Sequence, residues 1–144
     1  MERVTSEAVF IGHAVLIGIV AGLRSLIAPT AVAYARGSLW WILFAALAVG
    51  ELIGDKLPRL PARTIPAALL FRCVAGGASA YFLVGNGLGG FLAAACGVAG
   101  ALIGAYGGYA LRRALTRPGR LPDLPVAIGE DILTIALAIV AVRV

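Results

Sequence analysis

Apolar residues along this chain run in long, nearly unbroken blocks, not in the alternation of a half-buried strand or the single stripe of a surface helix. Five blocks stand out, at about 8–35, 39–54, 65–84, 88–111 and 124–142. A straight helix needs about 20 residues to cross a bilayer, so each block reads as a membrane span. The second is a little short, and Trp40 and Trp41 suit an interfacial anchor at its start. The first is long, at 28 residues, and carries Arg24, Ser25, Pro29 and Thr30 in its second half. Proline removes a helix hydrogen bond and bends the axis. The first block is therefore expected to be tilted, broken, or a helix followed by a short re-entrant piece. Freed backbone groups would then need cover from protein or a cavity.

Composition strengthens this reading. Hydrophobic residues make up 61% of the 144 and charged residues 13%, and mean hydropathy is +0.99. A soluble fold of this length cannot hide so much apolar surface, and a disordered chain would be far more polar. The expected fold is all-α: a single transmembrane domain over 1–144, a helical bundle of about five spans. The net charge of +5 would suggest nucleic acid in a soluble protein. Here the positive residues cluster in short loops between apolar blocks, so the expected partner is the lipid bilayer and no nucleic acid. Ala31-Val32-Ala33 has the look of a signal-peptidase site, but Glu2, Glu7 and Arg24 do not fit a signal peptide.

With five crossings, alternate loops lie on opposite sides. One side holds Arg3, Lys56, Arg59, Arg63, Arg112, Arg113, Arg117 and Arg120; the other holds Arg36 and Arg143. Eight against two places the N-terminus in the cytoplasm and the C-terminus outside. A weak internal repeat is also visible. Leu57-Pro58-Arg59-Leu60-Pro61 is matched by Leu121-Pro122-Asp123-Leu124-Pro125, either as a parallel duplication or because proline starts helices well.

Glycines four apart line one helix face. They are Gly18 and Gly22, Gly50 and Gly54, and Gly100, Gly104 and Gly108. Such faces let helices approach closely, either within the chain or between subunits of a homodimer. Ionisable residues inside the blocks are the functional candidates, because charge at membrane depth is costly. They are Arg24, Glu51, Arg72, Glu130 and Asp131, with Asp55 at an edge. The four acids and Arg72 fall at one depth, in the half nearer the basic loops, so Glu51 and Glu130 are expected to be neighbours bridged by an arginine or a polar cavity. Two readings stand: a structural ion-pair cluster, or a site for a cation, a proton or a charged solute.

Other residues point to little chemistry. His13 reads as packed or interfacial, and Cys73 and Cys96 as small buried residues. No metal-ligand spacing, phosphate loop or nucleophile elbow is present. No cofactor, metal or catalytic residue is expected, and the chain does not read as an enzyme. The glycine-rich segment 85–90 reads as a tight turn.

At its charged positions the chain resembles a family of small bacterial membrane proteins called domain of unknown function 4126. The matching pieces are Gly22-Leu23-Arg24, Glu51-Leu52-Ile53-Gly54-Asp55-Lys56-Leu57-Pro58, the small-residue fourth block and Glu130-Asp131-Ile132-Leu133. The resemblance implies a multi-span helical protein of a bacterial inner membrane and brings no activity with it. The leading expectation is a small transporter or channel-like permease. The alternatives are a lipid-handling protein that grips a lipid phosphate through its intramembrane arginines, and a non-catalytic structural or assembly protein.

Overall fold

The structure, a computed structural model, describes residues 2–54, 65–85, 87–117 and 121–143, with side chains from residue 9 onward. Among these residues every regular element is an α-helix. In chain order they are α1 (Glu2–Leu23), α2 (Ile27–Ala35), α3 (Trp40–Gly54), α4 (Pro66–Val84), α5 (Leu88–Leu115) and α6 (Asp123–Ala141). The last three apolar blocks become α4, α5 and α6, with α5 running four residues further than its block. These three are long and apolar enough to cross a membrane, fewer than the five blocks suggest. The apolar part of α1 is Val9–Leu23, and α3 has 15 residues.

The first block is two helices. Helix α1 stops at Leu23, Arg24 to Leu26 form a turn, and α2 runs nine residues. Pro29 fits the break: in an unbroken helix its ring would clash with the carbonyl of Ser25, four residues back and inside the turn. It is the third residue of α2, inside the first turn, where a missing N–H leaves no gap in the ladder. The turn is also polar: it carries an arginine and a serine whose partners lie on other helices.

Contacts along the helices give their directions. Gly18 of α1 lies against Gly97 of α5, and Gly22 lies against Ala101 and Gly104, so α1 and α5 run the same way. Helix α4 meets α5 as an antiparallel hairpin, with Gly76 against Gly97 and Tyr81 against Gly90. Helix α6 opposes α1: Arg24 bonds Asp131, while the His13 Nδ1–H donates to the Ala141 carbonyl at 2.9 Å. Helix α2 then returns. The turn before it touches Glu51, whereas Arg36 just after it reaches the carbonyl of Phe82 and Tyr34 stacks edge-on against Trp41. Helix α3 starts beside that returned end and runs back to the depth of the turn.

This reversal corrects the five-crossing count. Helix α1 starts from the end of the bundle where α6 finishes, and α5 carries Arg112 and Arg113 to the opposite end. The N-terminal segment thus lies away from the basic residues that the alternation of loops grouped with it. In the proposed repeat, α3 packs against α2, whereas α5 is clasped by α1 and α4; the segment 57–61 lies outside the described residues.

Small residues fill the interior. Ala14, Ala21, Ala28, Ala80, Ala101 and Ala105 are buried, while Leu70, Phe91, Leu92 and Ile132 stand exposed. A soluble domain buries its large side chains. Small inside and large outside is the pattern of helices packed in lipid.

Candidate functional site

The turn between α1 and α2 leaves orphan carbonyls at one helix end and orphan amides at the other. Burying them without partners would be costly. Three helices supply the partners. From α4, the Arg72 guanidinium donates through Nη1 to the Gly22 carbonyl at 2.5 Å and the Leu23 carbonyl at 3.0 Å. From α3, the Glu51 carboxylate accepts from the Ser25 N–H at 3.0 Å, the Ser25 hydroxyl at 2.5 Å and the Leu26 N–H at 3.0 Å. A cation on carbonyls and a carboxylate on amides match the two ends of the helix dipoles. From α6, Asp131 takes Arg24 of the turn itself, Nε to Oδ1 at 2.8 Å with Nη2 at 2.5 Å from the same oxygen.

These groups are shielded from solvent. Arg24 is 0% exposed, Arg72 and Ser25 5%, and Asp131 8%. Arg72 Nη2 also lies 3.7 Å from Glu51 Oε1, so the two caps touch each other. The neighbouring acid Glu130 faces elsewhere: its Oε2 is 4.0 Å from Nη1 of Arg112 at the basic end of α5. Arg112 also grips Asp123 with two bonds, Nε to Oδ1 at 2.9 Å and Nη2 to Oδ2 at 2.7 Å, tying α5 to the first turn of α6. Below Glu130 a cavity of about 270 Å³ lies between α5 and α6 and the end of α1, with Leu23, Arg112 and Glu130 in its wall.

Five of the six residues picked from the sequence are therefore placed. Arg24, Glu51, Arg72 and Asp131 gather at the turn, and Glu130 stands beside them on the basic side. Asp55 lies outside the described residues. Arg72 lies near Glu51 and Arg112 near Glu130. The apolar blocks and their edges hold four acids, Glu51, Asp55, Glu130 and Asp131, against two arginines, Arg24 and Arg72; Arg112, which the sequence assigns to a loop, adds a third positive group beside Glu130. Sequence reasoning also missed Ser25 as a bonding partner, and the backbone groups of Gly22, Leu23 and Leu26. The one signal for these was the Arg24-Ser25 pair interrupting an apolar block. Among the described residues no cluster of His, Cys, Asp and Glu has the arrangement of a metal site.

Comparison with protein-family models, with curated proteins and with solved structures finds no match. The functional reading rests on the geometry of the turn.

Proposed function

We propose that the chain is a small multi-pass permease of a bacterial inner membrane, and that the charges around the α1–α2 turn hold a proton or a small charged solute. The observation that carries this reading is the discontinuous helix. Transporters place the ends of broken helices at membrane depth, where their dipoles meet ions. Here both kinds of helix end, two arginines and two carboxylates meet at one buried turn. The cavity beside Glu130 supplies an approach from the basic end. In this reading Glu130 receives the solute or proton, and Asp131, the next residue, relays its arrival to Arg24.

The proposed orientation uses the same directions. In the sequence Lys56, Arg59 and Arg63 fall between α3 and α4, and Arg112, Arg113, Arg117 and Arg120 in the last turn of α5 and after it, against Arg3, Arg36 and Arg143 near the other helix ends. Seven against three assigns the basic end to the cytoplasm. Helix α2 is then a re-entrant piece and both termini lie outside. In this reading a homodimer pairs through the face of α3, where nothing lies within 4 Å of a Cβ built on Gly50.

A second reading, a structural or assembly protein, is favoured by one specific observation: at the turn the charges already satisfy backbone groups and one another. The lipid-phosphate reading of Arg24 and Arg72 is weakened by the same contacts. Glu130→Gln separates permease from scaffold. In proteoliposomes under an imposed pH or salt gradient, a permease loses proton or ion flux in this variant while its unfolding temperature in detergent stays close to wild type. Wild-type protein that carries no flux, or a variant that carries all of it, removes the permease reading.

A further inference from the structure

A different feature, independent of the permease reading, lies on the far side of the re-entrant hairpin. Helix α2 packs against both α3 and α4, which leaves a groove between those two with α2 as its floor. The groove encloses about 570 Å³ and is walled chiefly by Pro29 and Val32 of α2, Phe44 of α3, and Phe71, Val74 and Phe82 of α4. Phe71 and Phe82 are eleven positions apart, about 17 Å of helix. One leaflet of the hydrocarbon core is about 15 Å deep. The groove thus has the length and lining of a single acyl chain.

Two polar groups mark one end of it. Arg36, exposed and on the groove's rim, donates through Nη1 to the Phe82 carbonyl at 2.5 Å. A guanidinium has five N–H donors in a fork that matches a phosphate, so the Phe82 bond positions it without exhausting it. Ser79, three residues before Phe82 on the groove wall, is 3% exposed, and its hydroxyl has no hydrogen-bond partner in the structure. A serine in a helix can bond the carbonyl four residues back; this one does not, and its oxygen is sealed beneath the groove wall, so it meets an acceptor in the groove once its side chain turns outward. Cation first, hydroxyl about 4.5 Å deeper along the helix, then an apolar channel: this is the order phosphate, ester, acyl chain.

We propose that this groove binds one membrane phospholipid, with its phosphate on Arg36, an ester oxygen beside Ser79 and one chain laid between α3 and α4. The site is in the leaflet at the end of the bundle where α6 finishes. The test uses the full chain, purified and delipidated in detergent, and titrated with dioleoyl phosphatidylglycerol. Native mass spectrometry counts bound lipid, and thermal unfolding reports the stabilisation. The wild type takes up one lipid saturably and unfolds at a higher temperature. Arg36→Gln weakens that binding by about tenfold or more, the range for losing a hydrogen bond to a charged group. Ala78→Trp, at an exposed position on the groove wall, blocks binding and leaves the unfolding temperature of the lipid-free protein unchanged. Inorganic phosphate alone gives no stabilisation. Wild-type affinity in both variants means the lipid contact is unspecific, and stabilisation by phosphate alone means the site is for a free anion. Either result overturns the proposal. Flux measurements enter neither outcome, so this site and the permease reading fail separately.

Discussion

Arg24 has no exposed surface, and its charge is tolerated because Asp131 meets it through two guanidinium nitrogens. Asp131→Asn keeps the shape and removes the negative charge. It should destabilise the protein by about 3–5 kcal/mol, the usual loss when one partner of a buried pair is taken away. The measurement is chemical or thermal unfolding in a fixed detergent. Replacing both partners together, Arg24→Met with Asp131→Leu, should recover part of that loss, because no charge is then stranded. A double variant as unstable as the sum of its singles would deny that the two residues act as a pair. At this scale the charged positions were legible in the sequence, since an arginine or glutamate inside an apolar block has few bland explanations. Their partners were less so. Glu51 accepts from backbone amides and Arg72 donates to backbone carbonyls, groups that every residue carries and no motif announces. Ser25 was visible only as an interruption.

The helices meet through glycine where α1 crosses α5. A Cβ on Gly100 would land on the Val15 carbonyl oxygen, and one on Gly22 would land on the carbonyl of Ala101. Both obstacles are backbone and have no side-chain rotamer that relieves them. Gly100→Ala should therefore destabilise by about 1–3 kcal/mol through overpacking. Gly50→Ala is the contrast. Nothing lies within 4 Å of the added atom, and alanine is the better helix former by about 0.5–1 kcal/mol, so unfolding should show no loss or a small gain. Equal effects at the two sites would mean that the α1–α5 crossing is not glycine-limited. Spacing alone gave Gly18 with Gly22 and Gly50 with Gly54 the same meaning, because a stripe of small residues shows that a face is smooth and not what it meets. The ends of α3, α4 and α6 were legible to within a residue or so, since tryptophans, prolines and charged loops punctuate them.

The path of the whole chain turns on three residues. The block at 8–35 is as apolar after Arg24 as before it, so hydropathy cannot register that α2 reverses instead of continuing. A re-entrant piece remained among the expectations for that block, but the alternation of loops was counted with a straight crossing. One missed reversal moves the N-terminus to the other end of the bundle and changes which basic residues it accompanies. The capped turn is thus the central claim, and the proposed topology rests on it. Single cysteines at Ser6, Arg117 and Arg143, in a background where Cys73 and Cys96 are replaced by alanine, test it most directly. Each is probed with a membrane-impermeant maleimide, first on intact cells and then after the membrane is opened. The capped turn predicts that positions 6 and 143 label from the same side and position 117 from the opposite side. Labelling of 6 together with 117, with 143 opposite, would mean that the first block crosses straight through, and would contradict the capped turn and the site built on it.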